Sequence, residues 1–355
     1  MDRKKKSKLL LMGKSGSGKS SMRSIIFANY VAKDTRRLGA TIDVEHSHVK
    51  FMGSLTLNIW DCGGQDAFME TYLVSQRANI FSDVGVLIYV FDIESREFDR
   101  DMVTYTAVIS ALGEYSPRAQ VFCLIHKMDL VLPDHRHDLF AERSSLIQSN
   151  SVPFTVSTYA TSIWDQTLYK AWASIVYTLI PNLAIIERML SLLLRTVKAH
   201  EVALFERSTF LMVTCVTSPR GERNPNRDRF ERISNMIKTF KHSIAKHTGA
   251  SQAQAAPMEM TIKTPKFNLI LAQLTKNTFI MVVLEPGEAL VNVAMLNVLG
   301  LREEFLKMDL TAERDPETET EAEDMGGNYK GKGKERAQAG RGGEFYAEEE
   351  SQYSG

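Results

Sequence analysis

The stretch Gly13-Lys14-Ser15-Gly16-Ser17-Gly18-Lys19-Ser20 decides the fold of this chain. It matches the pattern G-x-x-x-x-G-K-[ST], follows the apolar run Leu9–Met12 and opens a helix candidate. Glycines in such a loop let backbone N–H groups surround a β-phosphate, and the helix that follows adds the positive end of its dipole. The stretch therefore predicts a phosphate-binding loop between a strand and a helix.

Further apolar runs follow this loop, and helix candidates separate them. The runs are continuous rather than alternating, which is typical of strands buried on both faces of a mostly parallel sheet. They are Leu55–Trp60, Val84–Phe91, Val121–Ile125 and Phe154–Thr158, and helices are predicted over Lys19–Tyr30, Met69–Phe81, Arg100–Glu114 and Trp164–Leu179. Val49–Phe51 and Leu55–Ile59 flank Gly53-Ser54, which predicts a hairpin and one antiparallel edge pair. Residues 1–181 are expected to form an α/β domain, a mostly parallel sheet with helices on both faces.

The pattern changes after Pro181-Asn182. Helices are then predicted over Leu183–Ala199, Phe230–His247 and Ala289–Met308, and strands over Val202–Phe205, Phe210–Thr217, Met258–Ile262, Leu269–Leu274 and Phe279–Leu284. This order predicts an α+β domain with an antiparallel sheet over residues 182–310. From Thr311 onward, acidic and Gly/Lys/Arg-rich blocks contain almost no aliphatic residues, so residues 311–355 are expected to be a disordered tail.

The bulk composition argues against several classes of protein. Lys plus Arg (43) equals Asp plus Glu (43), so no net charge draws the chain to nucleic acid or to an anionic membrane. Three widely spaced cysteines are typical of a reducing compartment rather than of a disulfide or metal framework. The longest apolar run, Val84–Phe91, is far shorter than the ~20 residues of a membrane helix, and no signal-peptide or lipidation motif is present. We expect a cytosolic protein whose membrane attachment, if any, comes from a partner.

Asp61-Cys62-Gly63-Gly64-Gln65 comes directly after the predicted strand Leu55–Trp60. A carboxylate at the end of such a strand can hold Mg²⁺, usually through water. Gly64 is expected to offer its N–H to a γ-phosphate, and Gln65 to orient the attacking water. In isolation the same residues would indicate only a turn, so this prediction depends on their place after the phosphate loop.

Three more side chains belong to the predicted phosphate end. Lys19 would bridge the β- and γ-phosphates, and the Ser20 hydroxyl would ligate Mg²⁺. Thr41 would complete the Mg²⁺ ligands only when a γ-phosphate is present, which would make its loop a switch. Arg36 and Arg37 precede it where an arginine finger in cis could lie, but exposed loop arginines are the simpler interpretation. Without a finger in cis, hydrolysis should be slow and should depend on an activating protein.

His126-Lys127-Met128-Asp129 follows the run Val121–Ile125. A carboxylate at Asp129 can accept both N1–H and N2–H of guanine, a pair that adenine does not present. The stretch resembles the N-K-x-D base-reading motif of regulatory GTPases, with His126 in place of Asn and the Lys127 stem expected along the base. Thr161-Ser162-Ile163 lies where those proteins have an S-A-K loop, whose backbone N–H meets guanine O6.

These motifs give one set of candidate site residues. The predicted catalytic residues are Gln65, Lys19 and Thr41. The predicted Mg²⁺ ligands are Ser20, Thr41 and Asp61. The predicted contacts to GTP or GDP are Ser15, Gly16, Ser17, Gly18, Lys19, Ser20, Ser21, Thr41, Gly64, His126, Lys127, Asp129, Ser162 and Ile163.

Several stretches closely resemble Rag GTPases of the RagA/RagB type. They are Met12–Lys19, Leu38–His46, Trp60–Asp66, His126–Leu130, Thr161–Asp165 and Leu168–Trp172. The HKMD form of the base-reading motif is typical of that branch. The likeness spans roughly residues 6–310, and in the second half it is clearest at Leu204–Arg207 and Phe230–Asn235.

The resemblance implies a function and several partners. Residues 182–310 would form a roadblock (longin-like) domain that pairs with the matching domain of a RagC/RagD-type GTPase. The heterodimer would be a lysosomal or vacuolar switch on a lipidated scaffold complex, and its GTP form would recruit a subunit of TOR complex 1 when amino acids are abundant. A GTPase-activating protein (GAP) and exchange factors would act on it, whereas no nucleic acid and no direct membrane insertion are expected.

Two alternatives stay open at this point. The chain could be a binding module that holds nucleotide structurally within a heterodimer, although every catalytic position is occupied. It could instead be a metabolic P-loop ATPase or kinase, although Asp129 favours guanine. Zero turnover with the right activator would indicate the first alternative, and tighter binding of ATP than of GTP would indicate the second.

Overall fold

The structure is a computed structural model of the chain. It describes residues 8–39, 41, 44–50, 56–180, 183–249 and 259–313. The chain up to Glu313 belongs to one compact unit, and the described residues of this unit include two β-sheets.

Six strands form the first sheet in the order β2-β3-β1-β4-β5-β6. They are β1 Lys8–Met12, β2 Val44–Lys50, β3 Thr56–Cys62, β4 Val84–Asp92, β5 Gln120–His126 and β6 Val156–Thr161. β2 is an edge strand and pairs antiparallel with β3, whereas the other neighbours run parallel. The predicted mostly parallel sheet with one antiparallel edge pair is confirmed, although the predicted turn at Gly53-Ser54 lies outside the described residues.

Helices cover both faces of this sheet. They are α1 Lys19–Phe27, α2 Asp66–Val74, α3 Arg77–Phe81, α4 Phe98–Tyr115, α5 Pro133–Ser149 and α6 Thr167–Tyr177. Successive residues of β1 point to opposite faces, so Leu9 and Leu11 belong to one hydrophobic cluster and Leu10 and Met12 to another. Both clusters are fully buried at these positions, which explains why the strand sequence is apolar without alternation.

Five antiparallel strands form the second sheet in the order β8-β7-β11-β10-β9. They are β7 Glu201–Glu206, β8 Met212–Thr217, β9 Glu259–Lys263, β10 Asn268–Thr275 and β11 Thr278–Leu284. The accompanying helices are α7 Leu183–Thr196, α8 Pro219–Glu222, α9 Arg229–Thr248 and α10 Glu288–Glu313. The predicted order of helix, strands, helix, strands and helix is therefore present. No described helix has the length and apolar character needed to cross a bilayer.

Several predicted boundaries are wrong. Strand β3 continues through Cys62, so Asp61 lies inside the strand, where it is paired with Leu11 and Glu45. The helix predicted over Met69–Phe81 is two helices, because the N–H groups of Ser75 and Gln76 both bond the Thr71 carbonyl and end α2.

Other differences have equally local causes. The sequence pattern does not predict α5, because its residues are mostly polar and form no apolar stripe. Strand β6 begins at Val156 rather than at Phe154. Helix α10 continues to Glu313, past the predicted start of the tail at Thr311, and residues 314–355 lie outside the described part of the chain.

One hydrophobic cluster continues from the first sheet to the second. It contains Leu9 and Ile25 from the first sheet and its helix α1, Trp172 from α6, and Leu190 and Val282 from the second half. Because the cluster is continuous, segments on both sides of residue 181 share one core. The division into separate domains at 1–181 and 182–310 stays a prediction.

Candidate functional site

The carboxyl ends of parallel strands meet at one edge of the first sheet. There β1 leads into the loop Gly13–Ser20, β3 ends just past Asp61, β5 ends at His126 and β6 at Thr161. This edge is where open α/β sheets bind their ligands. Four of the predicted motifs therefore begin at the same edge.

Two glycines allow close contacts at this edge. Gly18 is the N-cap of α1 with φ of 97°, and a Cβ there would lie 2.7 Å from Cδ2 of His126. Gly64 lies against the loop itself, where a Cβ would lie 2.2 Å from the carbonyl oxygen of Gly13. A side chain at either position would overlap atoms that line the site.

A cavity of about 240 Å³ opens between the loop and the Thr41 segment. Its volume is somewhat below the range usual for small-molecule pockets, and it covers the phosphate end of the predicted site. Its lining residues are Ser15, Gly16, Gly18, Lys19, Ser20, Ser21, Leu38, Gly39, Thr41 and Gly64. Most of the predicted phosphate contacts therefore share one cavity. The Ser17 side chain is buried instead, and its hydroxyl has no hydrogen-bond partner among the described residues.

Lys19 is almost completely buried at the floor of the cavity. Its Nζ donates to the carbonyl oxygens of Gly13 at 2.7 Å and Lys14 at 2.9 Å. Burial lowers the pKa of Lys19 to about 8, and the nearby Asp61 carboxylate opposes that shift. An ammonium has three donors, so one N–H of Lys19 stays available for an anion in the cavity.

The predicted Mg²⁺ ligands lie together. The hydroxyl oxygens of Ser20 and Thr41 are 2.5 Å apart. Asp61 is fully buried, and its Oδ1 atom lacks a hydrogen-bond partner within the described residues. Burial raises the pKa of Asp61, while the positive charges of Arg23 and Lys19 lower it. Two hydroxyls and an unpartnered carboxylate oxygen are hard oxygen ligands, so these residues fit Mg²⁺.

Arg23, on α1, is a site residue that the sequence analysis does not identify. Its Nε donates to Asp61 Oδ2 at 2.9 Å and its Nη1 donates to the Ser47 hydroxyl at 3.0 Å, while Nη2 bonds Glu45 on β2. The guanidinium thus holds one oxygen of Asp61, and the other oxygen has no hydrogen-bond partner among the described residues. An arginine inside an ordinary helical pattern carries no sequence signal for this role.

Asp129 and Ser162 meet at the predicted base-reading end. The Ser162 hydroxyl donates to Asp129 Oδ1 at 2.6 Å, which orients the carboxylate. Each carboxylate oxygen has two lone pairs, so Asp129 keeps acceptor capacity for guanine. The Ser162 N–H donates to the Thr167 hydroxyl at 2.9 Å, so the structure uses this N–H within the loop. Ile163 follows and packs partly buried against the hydrophobic cluster of that face.

His126 packs against the phosphate loop through its ring. The side chain is buried, its Nδ1 lies 3.0 Å from the Thr161 hydroxyl, and its Cδ2 and Nε2 atoms face Gly18. Burial lowers the pKa of His126 to about 4, so the imidazole is neutral at pH 7. The neutral His126 ring therefore packs against the phosphate loop and connects it to the base-reading segment.

Lys127 has a left-handed backbone with φ of 64°. Its Nζ donates to Asp92 Oδ2 at 2.6 Å, and Asp92 is the last residue of β4. This pair ties the ends of β4 and β5 together, and it directs the Lys127 stem across the strand ends. Asp92 is a second residue that the motifs do not identify.

The segment after β3 touches the phosphate loop directly. The Ser15 N–H donates to the Gly64 carbonyl at 2.7 Å. Gln65 follows as the exposed N-cap residue of α2, so its predicted role towards water stays a prediction. Lys14 reaches to Glu97 at 2.7 Å and to Asp101 at 3.4 Å, which fixes the loop against α4.

Arg36 and Arg37 are both exposed. The Arg36 guanidinium lies over the Trp164 ring, 5.5 Å from its centroid, and Arg37 lies near His242 and Lys246. In this structure neither side chain lines the phosphate cavity, which agrees with the simpler interpretation of exposed loop arginines.

Comparison with known proteins gives a clear result. The Gtr1/RagA G protein conserved region matches residues 8–237. GTP-binding protein gtr1 of Schizosaccharomyces pombe is 53% identical over 297 residues, which cover 83% of this chain and 94% of that protein. Ras-related GTP-binding protein B of Rattus norvegicus is 46% identical over 332 residues, which cover 86% of each.

The chain belongs to the Gtr1/RagA family of G proteins. The predicted resemblance is confirmed, and the chain is a GTP-hydrolysing enzyme of the small GTPase fold. A more distant match, GTP-binding protein GTR2 of Saccharomyces cerevisiae, is 30% identical over 221 residues, 60% of this chain and 63% of that protein. The Gtr1/RagA region extends into α9, so it includes parts of both sheets.

Replacing His126 with Asn should flatten the pH dependence of stability. The folded pKa of about 4 lies below the ordinary 6.5, so in this window only the unfolded chain binds the proton. Stability is complete above pH 6.5 and falls as the pH drops towards 4. From pH 7 to pH 5 the free energy of unfolding falls in the parent. In His126→Asn this fall should be smaller by roughly 1–2 kcal/mol. Urea unfolding in one nucleotide state measures this, and the exposed His137→Asn should keep the parent profile.

Replacing Arg23 with Leu should lower the free energy of unfolding by about 2–4 kcal/mol, because it leaves Asp61 buried without its cation. Urea unfolding of the nucleotide-free protein at pH 7 measures the loss. The exposed Arg96→Leu should change it by less than about 0.5 kcal/mol. Equal losses in the two variants would contradict a structural role for the Arg23–Asp61 pair.

Proposed function

We propose that this chain is a Mg²⁺-dependent guanine-nucleotide switch that hydrolyses GTP slowly. It works as a heterodimer with a RagC/RagD-type GTPase, and in its GTP form it recruits and activates TOR complex 1 at the lysosome or vacuole in response to amino acids. The observation that carries the proposal is the arrangement at one sheet edge of the phosphate cavity, the unpartnered Asp61 oxygen and the Asp129 carboxylate.

Nucleotide binding follows from the two ends of the site, one of which fits the phosphates and the other the guanine base. N–H groups of the loop Gly13–Ser20 and the start of α1 receive phosphate oxygens, and Lys19 adds its free donor. At the other end Asp129, held by Ser162, accepts from the guanine edge. Ser20, Thr41 and Asp61 would hold Mg²⁺, which when bound neutralises charge on the β- and γ-phosphates.

The hydrolytic role rests on the segment after β3. Gly64 touches the phosphate loop, so Gln65 next to it lies within one residue of the phosphate end. The Gln65 side chain is exposed, so it orients the attacking water only after a ligand or a partner has ordered the segment that follows β3. Arg36 lies over the Trp164 ring and so does not serve as an arginine finger. Without a finger in cis, hydrolysis is slow and depends on a GAP.

The partner role rests on the second sheet and its helices. Exposed apolar side chains lie on α9 and α10, among them Met236, Phe240, Leu296 and Leu299. Such side chains favour burial against another protein. The more distant similarity to GTR2 supports a partner from the sister branch of the family. Membrane residence would come from a lipidated scaffold complex, with GAP and exchange factors acting on the pair.

The experiment that tests the whole proposal is nucleotide binding by purified protein, alone and co-expressed with a RagC/RagD-type partner. We expect Mg²⁺-dependent binding of GTP and GDP but no binding of ATP. The protein should also be more soluble when it is co-expressed with the partner. Equal binding of ATP would contradict the guanine assignment, and a stable monomer indifferent to the partner would contradict the heterodimer.

Replacing Asp129 with Asn should weaken GTP binding by at least about 100-fold, because the amide presents a donor where guanine also donates. Xanthosine triphosphate, which carries an acceptor at that position, should then bind more tightly than GTP. Fluorescence competition with a labelled nucleotide measures both affinities. The exposed Asp134→Asn, on α5, should leave them unchanged, and unaltered preference in Asp129→Asn would contradict the base-reading role.

Replacing Gln65 with Leu should lower GAP-stimulated GTP hydrolysis by about 100-fold or more, because the attacking water loses its orienting group. Release of phosphate in a single turnover measures the rate, and GTP affinity should stay near that of the parent. Gln120→Leu, an exposed substitution at the start of β5, is the matched control. Normal hydrolysis by Gln65→Leu would exclude the proposed role.

A further inference from the structure

Lys238 of α9 reaches across to the phosphate-loop helix. The side chain is 1% exposed, and its Nζ donates to the carbonyl oxygens of Ile25 and Ile26 at 2.9 Å each. These bonds join residues more than 200 positions apart, one in the second half of the chain and the others in α1. They form a direct polar connection between the two sheets' helices.

The two carbonyls belong to the last turn of α1. The final carbonyls of a helix have no partner within it, and here the N–H groups of Ala28 and Tyr30 both bond the Ser24 carbonyl. Lys238 therefore satisfies the two carbonyls that follow. Its position at the negative end of the helix dipole is also favourable for a cation.

Lys238 is buried beside an aromatic ring. The Tyr169 ring of α6 lies 4.9 Å from Nζ, and Tyr169 belongs to the cluster that joins the two sheets. Burial lowers the pKa of Lys238 well below its usual value, an effect that Lys241 increases and Glu206 opposes. Lysine is rarely buried completely, because burial of its charge is costly. A methionine would fill the same space without that cost, so packing alone does not account for lysine here.

Helix α1 has only nine residues and spans about 13 Å. Its first residues, Lys19 and Ser20, line the phosphate cavity, and its last turn is bonded to Lys238. A short hydrogen-bonded helix moves as a unit, so a shift of α9 is transmitted to the end that faces the phosphates.

We propose that Lys238 is a positioning residue through which α9 and the second sheet set the place of α1 and so the rate of guanine-nucleotide release. The inference rests on the proposed nucleotide site. Because coupling between two sites is reciprocal, nucleotide in the cavity also steadies α9. The second half of the chain thereby affects how long nucleotide stays bound to the first half.

The test is the dissociation rate of a fluorescent GDP analogue from the full-length protein in Mg²⁺. Lys238→Met removes both hydrogen bonds while keeping the side-chain volume, and it should raise the rate by about fivefold or more. Lys241→Met is the matched control, since Lys241 is also buried on α9 but has no hydrogen bond to α1 within the described residues. It should release GDP at a rate within about twofold of the parent.

The control distinguishes positioning from general stability. A loss of packing in the second half would lower the unfolding temperature of both variants without a rate change specific to Lys238→Met. A parental rate in Lys238→Met, or equal acceleration in both variants, would overturn the inference. If the parent itself bound no GDP, the proposed function would fail instead, so the two failures are distinguishable.

A second measurement needs no variant and covers the case in which Lys238→Met does not fold. Hydrogen exchange is followed in peptides from α1 and α9 of the parent, with and without Mg²⁺ and GDP. Slower exchange in both helices on adding GDP is the expected result. Protection of α1 without any protection of α9 would overturn the inference.

Discussion

The site depends on two glycines whose backbone lies too close to neighbouring atoms to leave room for a side chain. At Gly64 and Gly18 an added Cβ would overlap the carbonyl oxygen of Gly13 and the ring of His126. This contact brings the ends of β1, β3 and β5 within reach of one ligand, so that phosphate and base can be held by different strands.

Three of the four buried lysines among the described residues donate hydrogen bonds to main-chain carbonyls rather than to carboxylates. Lys8, Lys19 and Lys238 each donate to two carbonyl oxygens, at distances from 2.6 to 2.9 Å. Carbonyl dipoles satisfy the donors without bringing a second charge into the interior, which avoids part of the desolvation cost of a buried ion pair. Asp61 differs, because it needs both a cation, Arg23, and a free oxygen for a ligand.

The sequence predicts those parts of the site whose residues are contiguous. In the loop Gly13–Ser20 and in the HKMD motif, the groups predicted to bind the ligand are neighbours in the sequence. The continuous apolar strands indicate where each motif begins. The Arg23–Asp61 pair and the bonds of Lys238 join distant residues in ordinary helical patterns, so no local signal predicts them. Helix α5 is missed for a related reason, because its polar sequence gives no stripe and tertiary context decides its conformation.

The continuous cluster between the two sheets has a consequence for synthesis of the chain. Val282 shares a core with Ile25 and Trp172, and it leaves the ribosome only after 110 further residues (282 − 172) have followed Trp172. Translation proceeds at about 5–20 residues per second, so this apolar face stays uncovered for several seconds or more on each nascent chain. Exposed apolar surface favours association with other proteins, and slowing translation after residue 181 would lengthen the exposure of this face.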